Sequence, residues 1–124
     1  KAGANGVKLE GAEYIDNIKA IVKAGIPVMG HLGFTPQSVN QLGYKIQGKS
    51  EKQKAKIKRD AKKLEKAGCF ALVLELVPPD LAKQITKMLK KVAILTFLLI
   101  FQEGQVYLIW WICRLNWKKL LEKK

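Results

Sequence analysis

The stretch Gly25-Ile26-Pro27-Val28-Met29-Gly30-His31-Leu32-Gly33-Phe34-Thr35-Pro36-Gln37-Ser38 decides the fold. Ile26–His31 is short, mostly apolar and bounded by punctuation: Gly25 stands where a left-handed helix cap belongs, and a loop rich in Gly, Thr, Pro, Gln, Ser and Asn follows from Leu32 to Gly48. It reads as a buried strand that empties into a long loop, and loops of that length in compact domains often form a wall of a site. Upstream, Val7–Gly11 alternates like a strand, with Lys8 and Glu10 on one face. Ala12–Ala24 then takes helical period through Tyr14, Ile15, Ile18, Ile21 and Val22. Downstream, Ser50 and Gln53 have capping-box spacing and open a basic helix that runs to Ala67 and closes at Gly68. Ala71–Val77 is nearly all apolar, as a strand covered on both faces should be, and Pro78-Pro79-Asp80 starts a helix to about Lys91. Strand, helix, strand, loop, helix, strand, helix predicts a parallel α/β sheet.

The chain has 124 residues, which is room for one core. Hydrophobic residues at 48% and charged residues at 27% are the balance of a folding chain, not a disordered one. The net charge of +13 comes almost entirely from lysine, since only Arg59 and Arg114 are arginines. Phosphate and base recognition favours the planar fork of arginine, and the basic helix interleaves no aromatic residue for base stacking. Its cations surround a narrow apolar stripe of Ile57, Ala61 and Leu64, so it reads as a solvated surface, and no nucleic-acid partner is expected.

Cys69 and Cys113 lie in apolar stretches without CxxC spacing, which indicates neither a zinc site nor a disulfide framework and suits reduced thiols in the cytoplasm. The first residues show no signal or transit pattern, and the chain reads as beginning inside something longer. Val92–Phe101 and Val106–Cys113 are apolar runs separated by Gln102-Glu103-Gly104-Gln105. Each is too short to span a bilayer, where about 20 apolar residues are needed, and joined they would bury Glu103 near the centre. Two buried strands joined at Gly104 are the simpler reading, with Trp110 and Trp111 in packing roles and Arg114–Lys124 as a terminal basic helix. The rival reading is a small basic membrane-associated protein anchored by residues 92–113.

In parallel α/β folds, working side chains gather at the carboxyl ends of strands, where loops line the open crevice. Lys8, Glu10, His31 and Glu75 meet that rule. A carboxylate base beside a lysine and a histidine suits removal of a proton from carbon next to a carbonyl, where the enolate needs cationic support. Each also has a plainer reading: Lys8 and Glu10 as a same-face ion pair, His31 as a satisfied core histidine, and Glu75 as a solvated strand end.

At these residues the sequence resembles the ketopantoate hydroxymethyltransferase family. The likeness rests on Asn5–Gly11, on Gly25–Ser38 with its Pro-Val-Met-Gly-His-Leu-Gly run, on Gly43–Gly48, and on Ala67–Glu75. It covers residues 1–91 and implies part of a (β/α)8 TIM barrel, with about four or five parallel strands and intervening helices. It further implies a Mg²⁺-dependent transfer of a hydroxymethyl group from 5,10-methylenetetrahydrofolate to 3-methyl-2-oxobutanoate, giving 2-dehydropantoate in pantothenate biosynthesis. By resemblance, Glu75 takes the proton from the substrate's C3 and Lys8 holds the oxo-acid oxygens. His31 lines the pocket, and Glu10 supports the hydrated metal only from outside its direct ligands.

The departures matter equally. The family's direct metal carboxylates lie on strands before this region, so a partnering N-terminal half is expected, and members of the family form homo-oligomers. After about Lys91 the family has a glycine-rich stretch, whereas Ala93–Ile100 is bulky. Residues 92–124 therefore read as a divergent apolar tail and basic terminus, consistent with a shifted reading frame. An open sheet edge, association with a partner or poor solubility is expected, and no turnover by the chain alone.

Overall fold

The computed structural model describes residues 3–35, 45–102 and 105–113. In chain order the elements are β1 (Val7–Glu10), α1 (Ile15–Lys23), β2 (Val28–Gly33), α2 (Glu51–Ala67), β3 (Ala71–Glu75), α3 (Pro79–Met88), β4 (Ala93–Gln102) and β5 (Gln105–Cys113). They build one five-stranded sheet in the order β1-β2-β3-β4-β5, parallel from β1 to β4.

Because the order never reverses, the sheet is singly wound, and its helices share one face. Ile18 of α1, Ile57, Ala61 and Leu64 of α2, and Leu81 and Ile85 of α3 pack in one buried cluster with Val28, Leu32, Leu72, Leu74 and Ile94. These strand residues lie on a common face by register, with Leu32 beside Leu74 and Leu72 beside Ile94. The opposite face then carries Lys8, Glu10, Met29, His31, Ala71, Val73 and Glu75. That arrangement is a partial TIM barrel: helices outside, and the second face turned to what would be the barrel interior.

Local chemistry sets the boundaries. Ser50 Oγ accepts from the Gln53 N–H at 3.2 Å, while Gln53 Oε1 returns to accept from the Gly48, Lys49 and Ser50 amides, completing the capping box. Gly68 ends α2 in the left-handed conformation at φ 95°, which is why glycine stands there. The strand expected from Ile26 begins at Val28, because the Ile26 N–H is used to close α1 on Ile21 O and Pro27 has no N–H to give. Likewise α3 stops at Met88, short of Lys91, since Leu89 is extended and the Lys90 and Lys91 amides turn to Glu65 Oε1 at 2.7 and 2.9 Å.

The tail forms two strands, as its two apolar runs suggested, but the fifth strand is antiparallel to the fourth over Ile94–Gln102 and Cys113–Gln105. Only two residues separate β4 from β5, which suffices for a hairpin, whereas a parallel return needs a crossover of about a dozen. The parallel sheet therefore has four strands. Beyond Phe97, the last β4 residue paired to β3, five residues run on, an overhang of roughly 16 Å at strand rise. The Gly104 turn and the helix expected over Arg114–Lys124 lie outside the described residues, as do the side chains of Trp110, Trp111 and Cys113. Among the described residues no helix is long and apolar enough to cross a membrane.

Replacing Ser50 with alanine removes the cap acceptor and should cost about 1 kcal/mol. Thermal unfolding followed by circular dichroism should report this as a midpoint lowered by a few degrees, with helix content at 20 °C unchanged.

Candidate functional site

Register alone brings the site together. Glu10 closes β1 opposite His31 on β2, and Glu75 closes β3 opposite Gly33, two residues beyond His31 and so on the same face. His31 is 1% exposed and lies between the two carboxylates: Nε2 is 3.1 Å from Glu75 Oε2, and Nδ1 is 3.7 Å from Glu10 Oε1. Neither ring nitrogen makes a well-aligned hydrogen bond, and Glu10 Oε2 is also buried without one. Lys8 lies on this face and is near enough for its charge to act on the imidazole. The four residues singled out in the sequence thus form one electrostatic group.

Burial holds the His31 pKa below the ordinary histidine value of 6.5, and the Lys8 charge pushes in the same direction. Glu75 and Glu10 oppose the shift without cancelling it. A neutral imidazole follows, with one donor and one acceptor nitrogen placed between two carboxylates. With the proton on Nε2, the ring N–H faces Glu75 Oε2 at 3.1 Å.

The backbone around Glu75 is pinned from two sides. Its carbonyl accepts from the Phe34 N–H at 2.8 Å, and the Leu76 carbonyl accepts from the Gln47 N–H at 2.8 Å. Gly33 has φ 95°, and a Cβ there would collide with the Glu75 carbonyl oxygen. Leu76 adopts φ 49°, a left-handed conformation that costs a bulky residue of order 1 kcal/mol and ends β3 directly after the carboxylate. Strain beside a candidate base, held by two hydrogen bonds, fixes where Glu75 points.

A cleft of about 610 Å³ opens beside these residues, lined by Glu10, His31, Tyr14, Gln47, Lys56 and Asp60 among others. Glu75 and Lys8 are not among its lining residues, so the cleft meets the constellation on the Glu10 side. The residue missed in the sequence is Asp60, only 4% exposed on the otherwise solvated basic helix. Lys56 Nζ donates to Asp60 Oδ2 at 2.8 Å and lies 3.7 Å from Glu13 Oε1. The Asp60 hydrogen bond raises the Lys56 pKa above its usual value. Its signal was present: Asp60 falls between Ile57 and Ala61 on the apolar stripe, four residues after Lys56. Of the loop expected as a wall, Gln47 and Gly48 do line the cleft, while residues 36–44 lie outside the described residues.

Among the described residues no group of three His, Cys, Asp or Glu has the geometry to hold a metal ion. The buried, unpartnered Glu10 Oε2 is nonetheless what an acceptor for a metal-bound water looks like, and Mg²⁺ commonly keeps several waters.

Residues 1–96 match the family model described as ketopantoate hydroxymethyltransferase. Similar proteins named 3-methyl-2-oxobutanoate hydroxymethyltransferase include one from Thermoanaerobacter sp. (strain X514), 64% identical over 89 residues that make up 70% of this chain and 32% of that protein. One from Legionella pneumophila (strain Lens) is 57% identical over 69% of this chain and 34% of the relative, and one from Anaeromyxobacter sp. (strain K) is 53% identical over 73% and 30%. The chain spans about a third of the length of the curated relatives it matches.

Titration of the His31 imidazole by NMR should give a pKa below 6.5. Lys8→Met should raise it by removing a repelling charge, and Glu75→Gln should lower it by removing an attracting one. Since the unfolded chain takes up this proton more readily than the folded one, the His31 contribution to stability is complete above pH 6.5 and is lost as pH falls below it. Urea midpoints measured between pH 7.5 and 5 should show a decline that is smaller in His31→Gln.

Proposed function

As the chain belongs to the ketopantoate hydroxymethyltransferase family, we propose that it carries the proton-abstracting part of a hydroxymethyl-transfer site. The reaction is addition of a one-carbon unit from 5,10-methylenetetrahydrofolate to C3 of 3-methyl-2-oxobutanoate, giving 2-dehydropantoate, a step of pantothenate synthesis in the cytoplasm. The observation that carries this reading is the placement of His31 between Glu75 and Glu10 on one sheet face.

Glu75 takes the proton from C3, and its fixed backbone keeps the carboxylate aimed at that carbon. The electron pair left behind delocalises onto the oxo group, and Lys8 supplies a cation for the negative charge that develops there. Water hydrolyses the two methylene C–N bonds of the co-substrate, releasing tetrahydrofolate and formaldehyde; the carbon nucleophile adds to the formaldehyde carbon, and the alkoxide formed takes the proton carried by Glu75 to become the hydroxymethyl group. Neutral His31 positions the Glu75 carboxylate and lines the pocket without adding a second positive charge. Glu10, with its buried unpartnered oxygen, would hold a water of Mg²⁺, and that ion would supply Lewis-acid chemistry.

Alone, the chain is proposed to be inactive, because no set of direct metal ligands is found among its described residues and it spans a third of its relatives. An assay with 3-methyl-2-oxobutanoate, methylenetetrahydrofolate and Mg²⁺ should give no product, and product formation would overturn this part. The site itself is tested in a chimera in which residues 1–91 replace the matching segment of the Thermoanaerobacter relative. That chimera should be active, and Glu75→Gln should lower its kcat by about 100-fold or more with a smaller effect on KM. Unchanged kcat would remove Glu75 from the chemistry.

A further inference from the structure

We propose that the outer edge of β5 is a self-association surface, on which a second copy of this chain adds its own β5 in antiparallel, two-fold pairing. Among the described residues no strand pairs with that edge, since β5 is the last strand of the sheet and its partner β4 occupies the other side. The edge is nine residues long, Gln-Val-Tyr-Leu-Ile-Trp-Trp-Ile-Cys, with no charge, no proline and no glycine. Natural edge strands are usually short, charged or bulged to prevent pairing, and β5 has none of these protections.

The other edge differs in each respect. β1 has four residues, two of them Lys8 and Glu10, so it is a poor template for an identical copy. The antiparallel direction of β5 also matters. It stands where a closed barrel would place a further parallel strand, so on this side the sheet can grow only on β5's own edge. Five residues of β4 and their partners in β5 run past the last β3 pair, so the distal hairpin is a two-stranded ribbon without a third strand, an arrangement marginal in water. Copy-to-copy pairing would give β5 a neighbour on both sides and make the ribbon three-stranded.

The choice of a second copy over a lipid surface follows from the backbone. An open edge leaves N–H and C=O groups unpaired, which hydrocarbon does not tolerate, whereas an identical edge satisfies them reciprocally about a two-fold axis. With a net charge of +13, association of two copies should strengthen as salt screens their repulsion, while binding to an anionic surface should weaken.

The test uses the full chain under reducing conditions, so that Cys113 cannot cross-link. Sedimentation across a hundredfold concentration range, at 50 and 500 mM NaCl, should show a monomer–dimer equilibrium shifted toward dimer at high salt. Hydrogen exchange of the same samples should show amides of residues 105–113 slowing at least tenfold from the lowest to the highest concentration, with β1 amides unchanged. The double variant Tyr107→Lys, Ile109→Lys should be monomeric with helical circular dichroism intact. A monomer at every concentration, a dimer whose new protection falls on β1 or α2, or β5 protection that appears only with vesicles of anionic phospholipid would each overturn the proposal. The wild-type exchange experiment decides the matter even if the double variant fails to fold.

Discussion

The close approach of β2 to the carbonyl of Glu75 is the constraint on which the site depends. Gly33 lets the strands meet without a Cβ in the way, the Phe34 amide bonds that carbonyl, and the Gln47 amide holds the strained Leu76 that follows. Together they hold the backbone from which the carboxylate projects toward His31. The helices contribute indirectly: α2 packs Leu64 and Ile57 into the cluster with Leu32 and Leu74, which fixes the height of β2 against β3. Packing on one face of the sheet therefore sets side-chain positions on the other.

A buried histidine between two glutamates could have been a conventional ion-pair triad. Here burial and the Lys8 charge outweigh both carboxylates, so the imidazole stays neutral near pH 7. The balance also leaves Lys8 as the cation that acts on this group. Asp60 illustrates a different economy, with a buried acid orienting Lys56 toward Glu13, and so toward the turn that follows Glu10.

Much of this was legible in the residues. Alternation in β1, apolar runs in the other strands and helical periodicity located the described elements, because capping at Ser50, glycine at 68 and proline at 79 punctuate the chain in a manner physics repeats widely. Lys8, Glu10, His31 and Glu75 were found from one topological rule. Three features were not legible. The antiparallel direction of β5 departs from the four or five parallel strands that the family resemblance implies, although the two strands joined at Gly104 were read from the apolar runs. The left-handed Leu76 is imposed by the Gln47 contact across the fold, not by leucine itself. Asp60 was hidden by its neighbours, since seven nearby lysines and an arginine make one more charge look like surface.

The β4–β5 hairpin also bears on the order of assembly. Hairpins close in about 1–10 μs, whereas each parallel pair must first bring together residues separated by a whole helix. The hairpin can thus form before β4 docks on β3, and during synthesis it follows the first three strands of the sheet. Its arrival is the step that covers the β3 edge. Any delay in that docking would leave two uncovered strand borders in one nascent molecule, which makes residues 93–113 the segment whose translation rate would govern how much protein reaches the native state.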